Sequence, residues 1–187
     1  MVFDDFSKQI FKDKFRDAVK TEVKVGTLEK SFDILIFAIH QLIQQSPYLP
    51  AIFKQFELDL LEYKGPHDGY QLIDILKFIG DFCYFSYNQN FTLRYALTNC
   101  CLFFIIANKT PFKDQFDSSL FQQESEPGFY SMKNFQVHIK IIVLDELDIS
   151  KKENCLLLLL ASAKKFQSFI LELNKDVHLI QELKRYI

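Results

Sequence analysis

Residues that break regular structure are scarce in this chain, while apolar residues that build a core are abundant. Glycine and proline occur five times each in 187 residues, whereas 49% of the chain is hydrophobic and phenylalanine alone occupies 21 positions. A protein made of many short strands requires frequent tight turns, and glycine and proline are the residues that favour them. The composition therefore predicts long helices, and we expect an all-α fold.

The spacing of the apolar residues also favours helices. Phe3, Phe6 and Ile10 follow one another at three- and four-residue steps, which predicts an amphipathic N-terminal helix within residues 1–25. Similar stripes predict a body of paired helices over residues 27–187. Its helices are expected at 28–43, 50–63, 72–87, 93–105 and 113–121, with a buried helix after 155 and a last one from about 174. The pairs start about 40 residues apart, close to the period of HEAT and armadillo repeats. We predict a single domain of roughly eight or nine helices in antiparallel pairs, either a short HEAT- or armadillo-like stack or a globular helical bundle.

Residues 135–144 fit two local structures. The segment alternates between apolar and polar residues and is rich in β-branched side chains, which is typical of a strand. Met132, Phe135, Ile139 and Ile142 also fit the seam of a helix. We predict a helix, because a single strand would have no partner, and we keep the strand as the alternative.

Familiar catalytic and cofactor-binding motifs are missing from the sequence. The run from Ile141 to Glu146 resembles the strand that presents an aspartate to magnesium in nucleotide hydrolases, but no glycine precedes a Lys-Ser or Lys-Thr pair. The four histidines are far apart and none has the spacing of a helical metal site. We therefore expect no catalytic residues, no metal site and no cofactor.

Charge and hydropathy limit the partners. The net charge is −2 and the chain has only three arginines, which argues against direct sequence-specific binding of nucleic acid. No apolar run approaches the roughly 20 residues of a membrane span. The four cysteines show no framework spacing and the chain starts without the features of a signal peptide, so we expect a soluble protein of the cytoplasm or nucleus with buried, reduced cysteines.

These observations predict a non-catalytic scaffold or adaptor that binds a protein partner, such as an amphipathic helix, through an apolar groove between helices. The candidate partner-binding residues are Phe3, Phe6 and Ile10 on the N-terminal helix and His67 and Asp68 in a loop. Two alternatives stay open. One is a helical-bundle enzyme or small-ligand-binding protein with a pocket between helices, and the other is an obligate homodimer held by an exposed phenylalanine face.

Two short segments resemble helical-repeat scaffolds of ribosome assembly and RNA processing. They are Gln41-Leu42-Ile43-Gln44-Gln45-Ser46-Pro47 and Leu93-Arg94-Tyr95-Ala96-Leu97. Because two unrelated families fit equally well, the resemblance assigns no family and no residue role. It implies only a ribosome- or RNA-processing-type assembly as one setting for the predicted scaffold.

Overall fold

The computed structural model describes residues 3–25, 31–38, 40–65, 68–109 and 120–173. Within these ranges, seven strands form one mixed sheet that is accompanied by six helices, so the predicted all-α fold is wrong. For the same reason, the predictions of a paired-helix body, of a HEAT- or armadillo-like stack and of a helical bundle are wrong. The strands are β1 (Val19–Lys24), β2 (Ser31–Phe37), β3 (Leu58–Lys64), β4 (Cys100–Ile106), β5 (Phe121–Gln123), β6 (Phe129–Met132) and β7 (His138–Val143). The helices are α1 (Phe3–Phe15), α2 (Gln41–Gln44), α3 (Leu72–Asn88), α4 (Leu93–Thr98), α5 (Cys155–Leu158) and α6 (Ala163–Leu173).

The sheet has a parallel centre and antiparallel flanks. Its strand order is β1-β2-β3-β4-β7-β6-β5. β3, β4 and β7 run parallel to one another, while β1 and β2 on one side and β6 and β5 on the other are antiparallel to their neighbours. α3 and α4 lie in the connection between β3 and β4, as two parallel neighbours require a crossover. The carboxyl ends of β3, β4 and β7 and the start of β2 therefore lie at the same edge of the sheet.

The central strands are buried on both faces, which explains why their sequences suggested helices. Every residue of β4 is buried. A strand covered on both sides is a continuous apolar run, and periodicity alone does not distinguish it from a buried helix. The helices predicted between residues 28 and 43, 50 and 63, and 93 and 105 instead contain β2, β3 and β4, with short helical turns beside them.

The ambiguous segment 135–144 contains a strand. β7 pairs in parallel with β4, from Cys101 opposite His138 to Ile106 opposite Val143, and β6 lies on its other side. The predicted helix is wrong and the strand alternative is confirmed. The prediction failed because it assumed that a strand here would have no partner. Both neighbouring strands, β4 and β6, lie in parts of the chain that had been assigned to helices or loops.

Two helices cover opposite faces of the sheet. α1 contributes Ile10, Phe11 and Phe15 to one apolar core, and α3 contributes Phe78 and Phe82 to the other. Helices were predicted at both places. α3 confirms the second, whereas α1 ends at Phe15, and residues 19–24 of the segment predicted as the N-terminal helix form β1. The predicted buried helix after residue 155 is present only as the short α5. The helix predicted from about residue 174 lies outside the described residues, as does most of the one predicted around 113–121.

Two further sequence expectations concern membranes and thiols. In the ranges that the structure describes, no helix combines the length and the hydrophobicity that crossing a bilayer requires. All four cysteines are free thiols; Cys100, Cys101 and Cys155 are buried, but Cys83 is exposed. The prediction of four buried cysteines is therefore wrong at Cys83, which lies on the solvent side of α3.

Candidate functional site

A row of acidic residues crosses β1, β2 and β3 near one end of the sheet. The β1–β2 register leaves Glu22 opposite Asp33. The β2–β3 register pairs Ile34 with Leu61 and, continued by one residue, sets Asp33 opposite Glu62. Like charges directly opposite each other destabilise a sheet. The row is therefore costly unless cations neutralise it.

Asp33 occupies the middle of this row and joins β2 to β3 where their backbone pairing ends. Its Oδ2 accepts a hydrogen bond of 2.8 Å from the backbone N–H of Tyr63. Its Oδ1 lies 3.6 Å from Nζ of Lys8 in α1, and Lys8 also forms an ion pair with Glu22. The mostly buried ammonium group of Lys8 thus neutralises part of the negative charge from the α1 side.

The second cation is Lys64, at the carboxyl end of β3. Glu62 and Lys64 are two residues apart on one strand, so their side chains lie on the same face. Lys64 Nζ donates a hydrogen bond of 2.7 Å to Glu62 Oε1. Burial alone lowers the pKa of Lys64, but the hydrogen bond to Glu62 and the charges of Glu62, Asp33 and Asp74 outweigh it and raise the pKa above its ordinary value. Lys64 is therefore a cation at neutral pH.

The start of α3 lies close to Lys64. Gln71 caps the helix, and the Asp74 side chain accepts a hydrogen bond of 2.7 Å from the Gln71 backbone N–H and one of 3.0 Å from Lys77. Partial burial raises the pKa of Asp74, but these hydrogen bonds and the charges of Lys77 and Lys64 lower it overall. Asp74 therefore stays ionised and adds to the negative potential around Lys64.

The oxygen atoms of Asp33 and Glu62 suit a hard divalent cation. In the described part of the chain, no three His, Cys, Asp or Glu side chains converge as a ready-made metal cage. Magnesium does not require such a cage, because it binds through one or two carboxylates and completes its shell with water and substrate phosphate oxygens. Asp33 and Glu62, both partly exposed, match that pattern of ligands.

A second polar cluster lies after β4 and β7, at the same edge of the sheet. Lys109 Nζ lies 2.8 Å from Glu146 Oε1 and 3.3 Å from the Tyr130 hydroxyl, which itself donates a hydrogen bond to Glu146. Asp145 accepts a hydrogen bond of 2.6 Å from the Ser162 hydroxyl. The acidic pair was expected at the end of a helix and instead follows a buried strand. In parallel sheets this edge is where ligands commonly bind.

A pocket of about 150 Å³ lies elsewhere, between the segments 50–55 and 124–126. Lys140 lines it and donates hydrogen bonds to Glu124 at 2.5 Å and to Ser131 at 2.7 Å. The pocket lies between the helical turn Ala51–Lys54 and the loop that follows β5. Asp33, Glu62 and Lys64 are not among the residues that line it.

Comparison with protein families, curated proteins and solved structures finds no match for this chain. Function therefore has to be inferred from the chemistry of the side chains that the fold brings together.

The residues predicted to bind a partner lie in several places. Phe3 and Phe6 lie in the first turns of α1, where the structure describes the backbone and not the side chains. Ile10 is buried in the core beneath α1. His67 lies outside the described residues. Asp68 is exposed and its Oδ2 accepts a hydrogen bond of 2.7 Å from the backbone N–H of Gly65, which is ordinary turn chemistry. Partner binding by these residues stays a prediction.

Sequence reasoning missed Asp33, Glu62 and Lys64. The available signal was an acidic residue inside each of two apolar runs, together with a Glu-x-Lys triplet directly before a Gly-Pro loop. Because both runs were interpreted as helices, Asp33 and Glu62 were assigned to separate helices. The pairing of β2 with β3 is what makes them neighbours.

Proposed function

We propose that this protein is a divalent-metal-dependent hydrolase of phosphodiester bonds, with nucleic acid as its substrate. Asp33 and Glu62 are the metal ligands, and Lys64 is the cation that faces the substrate phosphate. The proposal is supported above all by one observation: the register of two neighbouring strands sets Asp33 opposite Glu62, which binds Lys64, at the edge where the parallel strands end. The sequence had predicted no catalytic residue and no metal site, because it contains no familiar motif of either kind.

Placing Asp33, Glu62 and Lys64 on these two strands lowers the stability of the sheet, and this cost favours a functional role for them. Apart from these charged residues, β2 and β3 are largely apolar. Replacing a half-buried ion-pair network with apolar residues often makes a protein more stable. The neighbouring Glu22 has a φ of 53°, a left-handed conformation that is uncommon for a residue other than glycine. Strained backbone and opposed carboxylates tend to persist at sites where chemistry requires them. Magnesium binding supplies such a requirement.

Each side chain has a definite part in the proposed reaction. The Tyr63 N–H holds Oδ2 of Asp33, while Oδ1 of Asp33 lies 3.6 Å from Lys8 Nζ. A divalent ion held by Asp33 and Glu62 would lower the pKa of a bound water and neutralise charge on the phosphoryl oxygens. The Lys64 ammonium places a second positive charge where negative charge accumulates in the transition state. Since its pKa is raised, Lys64 stabilises charge and does not act as a base.

The setting of the site favours a polymeric substrate. Asp33, Glu62 and Lys64 are partly exposed and lie at an edge of the sheet instead of inside the pocket. The Lys109–Glu146 ion pair, after the neighbouring strands β4 and β7, lies at the same edge, so the polar surface extends beyond the three residues. The scarcity of arginine supports cleavage that depends on backbone phosphates and not on the base sequence.

Cleavage of fluorescent single- and double-stranded oligonucleotides, with magnesium or manganese and with chelator, tests the proposal. We expect Asp33→Asn, Glu62→Gln and Lys64→Met each to lower the rate by at least about 100-fold. Glu126→Gln is the matched control, because Glu126 pairs with Lys151 at 2.9 Å on another part of the surface. Its rate should equal that of the unmodified protein.

Metal binding provides a readout that does not depend on knowing the best substrate. Calorimetric titration with magnesium should show binding to the unmodified protein and to Glu126→Gln, and its loss in Asp33→Asn and Glu62→Gln. Circular dichroism checks that the variants are folded. Absence of both cleavage and metal binding in the unmodified protein, or full activity in the Asp33 and Glu62 variants, would contradict the proposal.

The adaptor function predicted from the sequence stays a prediction. The groove between paired helices on which it depended does not exist in the described residues, because those segments form the sheet.

A further inference from the structure

The solvent side of α3 carries an unusual stripe of residues, which we call the outer stripe. It consists of Ile73, Leu76, Gly80, Cys83 and Tyr87. Ile73, Leu76 and Tyr87 are 48%, 45% and 78% exposed, and Gly80 and Cys83 are exposed between them. The opposite side of the helix is buried against the sheet. Exposed apolar residues grouped on one side of a helix often mark a contact surface, so the outer stripe has the composition of an interface.

The outer stripe has the spacing of a two-helix seam. Its residues follow one another at steps of three, four, three and four, which is the repeat that lines the contact face of paired helices. Gly80 is the midpoint of the stripe and also of α3. Ile73 and Tyr87 lie at equal distances on either side of it. In a second copy of α3 laid antiparallel and centred on Gly80, Ile73 would lie at the level of Tyr87, Gly80 at the level of Gly80, and Leu76 about one residue from the level of Cys83.

The glycine at the midpoint has no explanation within one copy of the chain. A Cβ atom placed on Gly80 would meet nothing within 4 Å, so alanine would fit. Glycine inside a helix costs about 0.5–1 kcal/mol relative to alanine. Close approach of two helix backbones does require glycine, and the crossing point of a symmetric pair is where that approach is closest.

Charge also selects an antiparallel second copy. The charged residues of α3 are Asp74, Lys77 and Asp81, and all lie on one flank of the outer stripe. In an antiparallel pair centred on Gly80, like flanks meet, and Lys77 of one copy lies about 3 Å along the axis from the level of Asp81 of the other. Symmetry produces this opposite-charge pairing twice, against one like-charge pairing of the two Asp81 residues, which also lie about 3 Å apart along the axis. A parallel pair would instead set the charged flank against the apolar flank that carries Ile79.

We propose that the outer stripe is the interface of a homodimer in which two α3 helices pack antiparallel and cross at Gly80. This inference is independent of the chemistry at Asp33. It differs from the homodimer considered from the sequence, because the outer stripe contains no phenylalanine. A seam of five residues is smaller than the roughly 800 Å² per partner of a standard interface, so we expect a dissociation constant on the order of 10 µM.

Sedimentation equilibrium of the full chain, from about 1 to about 200 µM, tests the dimer because this range brackets the expected constant. The mass should rise with concentration from 22.1 kDa towards twice that value. In the Leu76→Glu variant, the mass should stay at 22.1 kDa at every concentration. Leu171→Glu is the matched control, because Leu171 is a 70% exposed leucine on α6, away from the outer stripe. Its mass curve should follow that of the unmodified protein.

The exposed thiol of Cys83 reports on the same surface. Its reaction with a maleimide should slow as protein concentration rises through the dimerisation range, and in Leu76→Glu it should be equally fast at every concentration. Circular dichroism confirms that both variants are folded. A mass that stays at 22.1 kDa at the highest concentration would overturn the proposal. This result is also the one expected if a different protein, and not a second copy, covers the outer stripe. A Leu76→Glu protein that dimerises as well as the unmodified one would overturn it too.

Discussion

Asp59 is an acid in the middle of the sheet. It lies in β3 between Ile36 of β2 and Cys101 of β4, and it is fully buried. Neither carboxyl oxygen has a hydrogen-bond partner among the described residues. Burial raises the pKa of Asp59 well above its ordinary value of 3.8. The folded protein therefore keeps this carboxyl group neutral at pH values where the unfolded chain ionises it.

Replacing Asp59 with asparagine should remove a pH-dependent loss of stability. Above pH 3.8 the unfolded chain releases the Asp59 proton while the folded protein retains it. Each pH unit then lowers the free energy of unfolding by about 1.4 kcal/mol, until the pH passes the raised pKa and the loss becomes constant. Asparagine has nearly the same volume and does not titrate. We expect equal stabilities below pH 3.8, and a gain for Asp59→Asn that grows by about 2.7 kcal/mol over two pH units inside this window.

Urea denaturation followed by circular dichroism, at intervals between about pH 4 and pH 8, measures this difference. Asp17→Asn is the control, since Asp17 is exposed and the substitution removes the same charge from the surface; its stability should follow that of the unmodified protein at each pH. The reasoning is refuted if the Asp59→Asn curve runs parallel to the unmodified one, or if the variant is the less stable protein at neutral pH. Either result would mean that Asp59 is ionised and compensated in the fold.

Three further outcomes are expected. Gly128→Ala should lose about 1–3 kcal/mol of unfolding free energy in urea, because its φ is 85° and a Cβ there would lie 2.9 Å from a backbone oxygen. Gly69→Ala, where a Cβ meets nothing within 4 Å, should change the unfolding free energy little. Thr92→Ala should cost about 1 kcal/mol in the same assay, because the Thr92 hydroxyl accepts the hydrogen bond that caps α4. In a thiol titration of the folded protein at low concentration, only Cys83 should react fast, because the other three cysteines are buried and burial raises the pKa of Cys100 to about 12. After unfolding, all four thiols should react fast.

Helices with one buried face were predictable and strands with two buried faces were not. α1 and α3 each bury one face, so their apolar residues keep the helical period and mark their position in the sequence. β4 is buried throughout, and its continuous apolar run carries no period from which its conformation could be deduced. β7 retained a visible alternation, but choosing a strand required knowledge of β4 and β6.

The candidate site was not predictable for a related reason. Asp33 and Glu62 are neighbours only through the β2–β3 register, and Lys8 reaches them from a helix at the start of the chain. No fixed spacing in sequence corresponds to these contacts. Only the two-residue step from Glu62 to Lys64 is local, and a Glu-x-Lys triplet by itself is common on helices and strands alike.

By itself, the sequence determined how much apolar material there is for a core and where two amphipathic helices form, because the hydrogen bonds of a helix join residues four positions apart. Tertiary structure alone decided that the remaining apolar runs are strands, in which order they pair, and that Asp33 lies opposite Glu62 on the neighbouring strand. The backbone hydrogen bonds of a strand go to residues far away in the chain. Its conformation and its neighbours are therefore settled only when the whole sheet forms.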